Sequence, residues 1–161
     1  MRSQAHTSDM IPPSSIRVSI VVPLFNNVAA TRAMLDSLMD SLRERRDCEI
    51  VMVDDGSSDG TREWLDTLQI PNIRVFKNDG NFGFARTTNR GVRESSGAIV
   101  VMANNDLLFS RGWLEPMLGV IEASSLGAGV VGNVQWTIDG SSIDHAGIDI
   151  DYEGHLSHVR A

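Results

Sequence analysis

The chain has 161 residues and a formal net charge of −7, which argues against the backbone of a nucleic acid as a partner. Its single cysteine, Cys48, excludes an internal disulfide and indicates a reducing compartment, which we take to be the cytoplasm or the cytoplasmic face of a membrane. Cys48 opens an apolar run, so we expect it to be buried and unreactive. No apolar stretch approaches the roughly 18 residues of a membrane span. Residues 1–15 are polar and carry Pro12-Pro13, so they predict a disordered leader.

Apolar runs rich in β-branched residues alternate with segments of helical periodicity through the first two thirds of the chain. The runs predict buried strands over 18–22, 48–53, 73–76 and 99–103. The segments between them predict helices from about Ala29 to Arg45, after Gly60 as far as Leu68, and from Phe84 to Ser95. Each predicted helix has one apolar face that we expect to be buried. The residues of these faces are Leu35, Leu38, Met39 and Leu42 in the first helix, Trp64, Leu65 and Leu68 in the second, and Phe84, Thr88 and Val92 in the third. We expect Arg43, Arg45 and Arg46 to close the first helix. This alternation predicts an α/β fold with a mostly parallel sheet.

The remaining third of the chain has a weaker pattern. Gly112 precedes a predicted helix whose apolar side carries Trp113, Met117, Val120 and Ile121. A fifth strand is predicted over Ala128 to Val134, and Asp139-Gly140 is typical of a hairpin turn. A short alternation around Ile148 and Ile150 follows. We expect residues 16–161 to form one domain.

Polar groups follow three of the predicted strands: Asn26-Asn27, Asp54-Asp55 and Asn104-Asn105-Asp106. The carboxyl ends of parallel strands lie at one edge of a sheet, where α/β proteins bind their ligands. Asp106 suits a hard divalent cation such as Mg²⁺ or Mn²⁺. The three clusters therefore predict a site for a nucleotide and a metal ion.

Four motifs resemble those of family 2 glycosyltransferases, which have the GT-A fold. Residues 53–61, Val-Asp-Asp-Gly-Ser-Ser-Asp-Gly-Thr, look like the family's signature, and residues 18–26 are similar to its first strand and loop. Residues 81–91 match its middle helix. Asn104-Asn105-Asp106 stands where the family has its Asp-X-Asp motif, and the ending Asn-Asn-Asp is closest to the rhamnosyltransferase-like branch. The resemblance covers about Val18 to Tyr152 and implies a Rossmann-like, three-layer sandwich.

The resemblance also implies a role for individual residues. The nucleotide sugar would be bound by Pro23, Phe25, Asn27, Asp54, Asp55, Gly83, Arg86 and Asn105, and the metal, Mg²⁺ or Mn²⁺, by Asp106. Phe25 stands where the base is stacked, Asp55 where base or ribose is hydrogen-bonded, and Asn105 where ribose is contacted.

Each of these roles has a structural alternative. Phe25 could be a core residue, and residues 54–59 could be only a helix cap and turn. Asp106 could cap a turn, and Arg86 could be a solvated surface residue. Because Asn104 replaces the first acid of the Asp-X-Asp motif, Asp106 would be the only direct carboxylate ligand of the metal.

The resemblance further implies a general base and an acceptor-binding portion that these 161 residues do not contain. We therefore expect the chain to be the donor-binding part of an inverting glycosyltransferase of hexosyl or rhamnosyl type, acting in cell-wall or polysaccharide biosynthesis. Its acceptor would be a saccharide, a lipid-linked sugar or a protein. The alternative is a non-catalytic nucleotide-sugar-binding module. A nucleotidyltransferase is third, because residues 23–27 contain neither glycine nor a basic residue.

Overall fold

A computed structural model describes residues 16–123, 125, 127–150, 153 and 156–158. The predicted leader, residues 1–15, lies outside the described residues. The chain divides into two compact units after Phe109.

The first unit is built on a sheet of four parallel strands, which confirms the predicted α/β fold. The strands are β1 (Val18–Leu24), β2 (Cys48–Asp54), β3 (Ile73–Lys77) and β4 (Ile99–Met102), in the spatial order β3-β2-β1-β4. Every residue of β1 and β2 is buried, which explains why these strands have near-continuous apolar sequences. The strand order reverses at β1, so a crevice is expected between the carboxyl ends of β1 and β4.

Three helices connect the strands: α1 (Val28–Ser41), α2 (Thr61–Asp66) and α3 (Phe84–Glu94). Right-handed crossovers place α1 and α2 on one face of the sheet and α3 on the other, which gives three layers. Gly91 lets α3 approach the sheet closely, because a Cβ atom there would lie 2.3 Å from Cγ1 of Val21.

The close approach at Gly91 explains an error in the predicted face of α3. Its buried residues are Thr87, Thr88 and Gly91, whereas Phe84 is 64% exposed and Val92 is 39% exposed. Small residues form the contact with the sheet, and the large apolar side chains point elsewhere.

The first helix also ends earlier in the chain than predicted. The helix ends at Ser41, with Leu42 as its C-cap. Arg43 and Arg46 lie beyond it, and Arg45 donates hydrogen bonds to the Asp47 carboxylate at 2.7 and 3.1 Å in the turn before β2. Arg45 therefore stabilises the connection to β2 rather than the last turn of the helix. Cys48 is buried as predicted, and burial raises the pKa of its thiol.

A closed network of polar groups lies at the amino edge of the sheet. The buried Glu49 carboxylate accepts hydrogen bonds from Ser19 Oγ and Ser96 N–H, both at 2.6 Å, and from Arg74 at 3.3 Å. The Gly97 N–H donates to Ser19 Oγ at 2.8 Å. Burial alone would raise the pKa of Glu49, but these donors hold it below its ordinary value. The network ties the segment that enters β4 to β1 and β2.

The second unit contains α4 (Leu114–Glu122) and two short antiparallel pairs. The pairs are β5 (Gln135–Trp136) with β6 (Ile143–His145) and β7 (Ile148–Ile150) with β8 (Leu156–His158). The predicted turn at Asp139-Gly140 is confirmed, because it joins β5 to β6.

Two predictions for the second unit were wrong. Residues 128–134 form no strand, since Gly129 and Gly132 interrupt the run and Val130 is 89% exposed. The buried residues of α4 are Leu114 and Leu118, whereas Val120, on the predicted face, is 40% exposed. Within the described ranges, no helix has the length and hydropathy that crossing a bilayer requires.

Candidate functional site

A cavity of about 470 Å³ opens at the carboxyl edge of the sheet in the first unit. It is lined by residues from the ends of β1, β2 and β4 and from the start of α3. Six of the predicted site residues line it: Pro23, Phe25, Asp55, Gly83, Asn105 and Asp106. Its other lining residues are Leu24, Asn81, Phe84, Thr87 and Asn104. Asn27, Asp54 and Arg86, which were also predicted to bind the nucleotide sugar, do not line the cavity.

The loops that follow β1 and β2 are joined to each other by hydrogen bonds. The Asn26 N–H donates to Ser57 Oγ at 2.7 Å, and the Ser58 N–H donates back to Asn26 Oδ1 at 2.9 Å. The Val28 N–H, at the start of α1, donates to the Asp59 carboxylate at 2.9 Å. These bonds fix the two loops as one platform beneath the cavity.

Asn27 has a structural position at the beginning of α1. Asn26 and Asn27 both have left-handed backbone conformations, with φ of 57° and 61°, which asparagine tolerates better than most residues. Asn27 is the N-cap of α1, and its side-chain oxygen accepts a hydrogen bond from Ala30 N–H at 3.4 Å. Its amide therefore holds the helix start, beside the cavity but outside its lining.

The Asp54 side chain holds the loop between β2 and α2 by hydrogen bonds. Its carboxylate is fully buried and accepts hydrogen bonds from the N–H groups of Gly56 and Ser57, at 3.2 to 3.3 Å. Arg62 lies 3.4 Å from it and balances its charge. Asp54 therefore orients this loop, the role that the family resemblance favours for it over a direct contact with base or ribose.

Asp55 reaches the cavity with its carboxylate held by neutral donors. Oδ1 accepts from Asn78 Nδ2 at 2.7 Å and from Phe82 N–H at 3.0 Å, and Oδ2 accepts from Gly83 N–H at 2.8 Å. Burial alone would raise the pKa of Asp55, but hydrogen bonds from Thr87, Phe82, Asn78 and Gly83 outweigh it and lower the pKa. Asp55 is therefore an ionised carboxylate that also orders the loop before α3.

Asn78 connects Asp55 to a cation on α3. Its Nδ2 donates both to Asp55 and to Thr87 Oγ1, at 3.0 Å, while its Oδ1 accepts from Arg90. Arg90 also donates to Lys77 O at 2.8 Å. Because the guanidinium can only donate, it determines which end of the Asn78 amide faces Asp55.

The end of β4 contributes one oriented amide and one free carboxylate. Asn105 Nδ2 donates to Thr31 Oγ1 at 3.0 Å and to Asn26 O at 3.4 Å, so its oxygen is the group left for a ligand. Asp106 is exposed, and its carboxylate has no partner among the residues that the structure describes. Asn104 is also exposed and lines the cavity.

The family follows from comparison with known proteins. Residues 19–156 match the family described as Glycosyl transferase family 2. The chain belongs to glycosyl transferase family 2. It is 30% identical over 123 residues to the glycosyltransferase AglE of Haloferax volcanii, an alignment that covers 74% of this chain and 40% of the relative.

Solved structures confirm the fold of this family 2 chain. It matches the mannosyltransferase PcManGT of Pyrobaculum calidifontis, in complex with GDP-Man and Mn²⁺, with a TM-score of 0.60 and 28% identity. That match covers 71% of this chain and 35% of the other. It also matches TarS 1-349 of S. aureus in complex with UDP-GlcNAc, with a TM-score of 0.60 and 23% identity, over 66% of this chain and 31% of the other. The chain thus has the GT-A fold and spans two fifths or less of the length of these three proteins.

The donor set at Asp106 fits a metal ion that is shared with a ligand. Among the described residues, no group of three or more His, Cys, Asp or Glu side chains could hold a metal. Asp106 supplies one carboxylate and Asn104 an amide oxygen, both ligands that suit Mg²⁺ or Mn²⁺. The remaining ligands of a divalent cation would have to come from a diphosphate and from water.

Phe25 and Phe84 give this family 2 chain an aromatic rim at the cavity. Phe25 is 50% exposed, so it is not the core residue of the structural alternative, and its face is available for stacking. Arg86 lies outside the cavity, with its guanidinium 4.8 Å from the ring centre of Phe82.

Four polar or aromatic lining residues were missed by the sequence reasoning. Phe84 and Thr87 were overlooked because helical periodicity assigns residues to a core face and does not identify the first turn of a helix at a sheet edge. Their position directly after Gly83 could have indicated it. Asn81 and Asn104 lie inside motifs that were recognised, but neither was given a binding role.

Proposed function

We propose that this chain binds the nucleotide-diphosphate-sugar donor of a glycosyltransferase. The observation that carries the proposal is the convergence of Phe25, Asp55 and Asp106, from the ends of three parallel strands, on one cavity. An aromatic face suits a base, and an oxygen ligand for a cation suits a diphosphate. The Pyrobaculum relative, in complex with GDP-Man and Mn²⁺, supports the same assignment.

In this proposal each lining residue has one task. Phe25 stacks on the base, and Asp55 and the Gly83 segment surround the base and ribose. The Asn105 oxygen accepts a hydrogen bond from a ribose hydroxyl, while Asp106, aided by Asn104, would hold Mg²⁺ or Mn²⁺. The cation would supply neutralisation of the diphosphate leaving group.

We further propose that the transfer inverts configuration at the sugar. The oxygens of Asp55 are occupied by hydrogen-bond donors, and Asp106 is assigned to the cation, so neither carboxylate is placed to form a covalent sugar intermediate. An acceptor hydroxyl would then attack directly, with a general base from outside the described cavity. The transferred sugar would be a hexose or rhamnose, and the acceptor a saccharide, a lipid-linked sugar or a protein, in cell-wall or polysaccharide synthesis at or near the cytoplasmic face of a membrane.

Calorimetric titration of the 161-residue chain with UDP, dTDP and GDP, with and without Mn²⁺, tests the donor site. We expect binding that Mn²⁺ strengthens by tenfold or more. Asp106→Asn should remove this gain because it deletes the only exposed carboxylate assigned to the cation. Asp79→Asn is the matched control: it removes the same charge from an exposed position outside the cavity lining and should keep the gain.

Two outcomes would contradict the assignment. The first is an absence of Mn²⁺-dependent binding of any of the three nucleotides. The second is an equal loss of the Mn²⁺ effect in Asp106→Asn and Asp79→Asn, because the effect would then reflect general charge.

The second candidate is a non-catalytic nucleotide-sugar-binding module. It is favoured by the composition of the cavity lining, whose two carboxylates are both assigned to donor binding: Asp55 is occupied by hydrogen-bond donors and Asp106 would hold the cation, so the lining offers no further carboxylate as a general base. Mn²⁺-dependent binding of a nucleotide sugar is expected from both candidates. Release of nucleoside diphosphate from a nucleotide sugar in the presence of an acceptor would favour the enzyme.

A further inference from the structure

The amide of Asn81 is oriented by its neighbours. Asn81 is exposed and lines the cavity, and the Gly83 N–H donates to its Oδ1 at 3.1 Å. The same N–H donates to Asp55 Oδ2 at 2.8 Å. Only the oxygen of a side-chain amide can accept from an N–H, so Oδ1 is occupied. The Nδ2 group has no partner within the described ranges and remains as a donor.

Asn81 lies toward the end of the cavity that is opposite to Asp106. Asp55 and the segment bonded to it follow β2, whereas Asn104 to Asp106 follow β4, and β1 separates these two strands. Two strand spacings amount to about 10 Å. This step depends on the proposed function: if the diphosphate lies at Asp106, the base lies beside Asp55 and Asn81.

We propose that Asn81 makes the site selective for bases that carry a carbonyl oxygen at their pairing edge over bases that carry an amino group there. Uracil and thymine present O4, and guanine presents O6, each of which accepts a hydrogen bond from Nδ2. Cytosine and adenine present an amino group at the same position, which is a donor. Two donors that face each other leave both groups unsatisfied, so these bases bind more weakly.

The pair UDP and CDP tests this selectivity, because the two nucleotides have the same size and the same diphosphate. Calorimetry in the presence of Mn²⁺ should give UDP an affinity at least about tenfold higher than that of CDP. GDP should likewise bind with higher affinity than ADP. A UDP to CDP affinity ratio near one, or a preference for CDP, would overturn the inference.

The substitution Asn81→Asp replaces one hydrogen-bond donor of the side chain by an acceptor. It keeps an oxygen for the Gly83 N–H and replaces the free NH₂ by an acceptor, so the variant should prefer CDP over UDP. The added negative charge lowers the affinity for UDP and CDP alike. The ratio of the two affinities is therefore the quantity to measure. Asn89→Asp is the matched control, since it makes the same change at an exposed position of α3 outside the cavity lining and should leave the ratio as it is.

The results separate this inference from the proposed function. If none of UDP, CDP, GDP and ADP binds with Mn²⁺, the proposed function fails and the inference fails with it. If all four bind with similar affinity, or if Asn81→Asp leaves the UDP to CDP ratio unchanged, the inference alone fails. A ratio that moves equally in Asn81→Asp and Asn89→Asp would also overturn it.

Discussion

Glu49 at the amino edge of the central sheet and Asp55 at its carboxyl edge are both buried carboxylates, but they are satisfied in different ways. At the amino edge, Glu49 is matched by the cation Arg74, by a hydroxyl and by a backbone N–H. At the carboxyl edge, Asp55 is held by neutral donors, and Asp106 nearby has no partner among the described residues. Polar groups that are satisfied by one another stabilise the fold, whereas polar groups left without a partner mark the candidate site.

Among the substitutions that test this contrast between the two edges, Glu49→Gln is expected to have the largest effect on stability. The substitution removes the charge that pairs with Arg74, and we expect the free energy of unfolding at pH 7 to fall by about 2 kcal/mol. This is below the full cost of a broken buried pair, because Arg74 is 39% exposed and keeps part of its hydration. Urea denaturation measures the loss, and nucleotide affinity per folded molecule should be unchanged.

The loss in Glu49→Gln should depend on pH. The pKa of Glu49 is lowered from its ordinary 4.5, so its stabilisation is present above pH 4.5 and disappears as the pH falls through the lower, folded-state pKa. The wild-type and variant stabilities should therefore converge in acid. Glu94→Gln is the control, because Glu94 lies 3.9 Å from the same Arg74 but is 38% exposed, and it should cost little. Equal losses in both variants would contradict the contrast between the two edges.

An intermediate effect is expected from Gly56→Ala at the carboxyl edge. Gly56 has φ of +83°, and a Cβ atom there would lie 2.8 Å from the backbone carbon of Gly80 and 3.0 Å from Asn81 N. The loop before α3 must therefore move, and with it the donors that hold Asp55. We expect a loss of about 1.5 kcal/mol in urea denaturation together with weaker nucleotide binding in calorimetry.

Gly60→Ala separates steric contact from backbone strain. Gly60 has φ of +93°, but nothing lies within 4 Å of a Cβ atom there. The substitution should cost only the strain of a left-handed alanine, about 1 kcal/mol, and should leave binding intact. If Gly60→Ala weakens binding as much as Gly56→Ala, the contact with Gly80 is not what orders the site.

The smallest effect is expected from Thr31→Val. The substitution removes the oxygen that accepts from Asn105 Nδ2 at 3.0 Å, in a fully buried position, and should cost about 1 kcal/mol. Asn105 then keeps only the longer bond to Asn26, so nucleotide affinity should fall a few-fold. Thr88→Val, which removes a bond to Phe84 O within α3, is the control and should cost similar stability without changing affinity. A loss of affinity in Thr88→Val alone would contradict this role of Asn105.

Much of the first unit could be predicted because its strands and their ends have strong local signals. Buried parallel strands require continuous apolar runs, and the polar residues after β1, β2 and β4 interrupt those runs abruptly. These signals predicted that Asp55 and Asp106 lie at the same edge of the sheet. The strand over residues 128–134 was wrong because valines in a run favour a strand only when a neighbouring strand pairs with them and glycines do not interrupt them.

Assignments of individual side chains were less predictable, because they depend on contacts distant in the sequence. Asp54 and Asp55 are adjacent and chemically identical, yet one supports a loop beneath the cavity and the other reaches the cavity itself. The buried face of α3 depends on Gly91, whose contact is with Val21, 70 positions earlier. The free donor of Asn81 could be identified only after the Gly83 N–H was located.

The interlocked loops restrict how this site can diversify among related sequences. Surface loops ordinarily accept insertions and deletions. Here the loops after β1 and β2 exchange hydrogen bonds through Asn26, Ser57 and Ser58, and Gly56 abuts the third loop at Gly80. A change of length in the loop after β2 would disrupt both of the other loops, and a change in either of those would disrupt the loop after β2. If the site binds the proposed donor, its preference would be altered more readily by exchanging single side chains such as Asn81 than by changing the length of these loops.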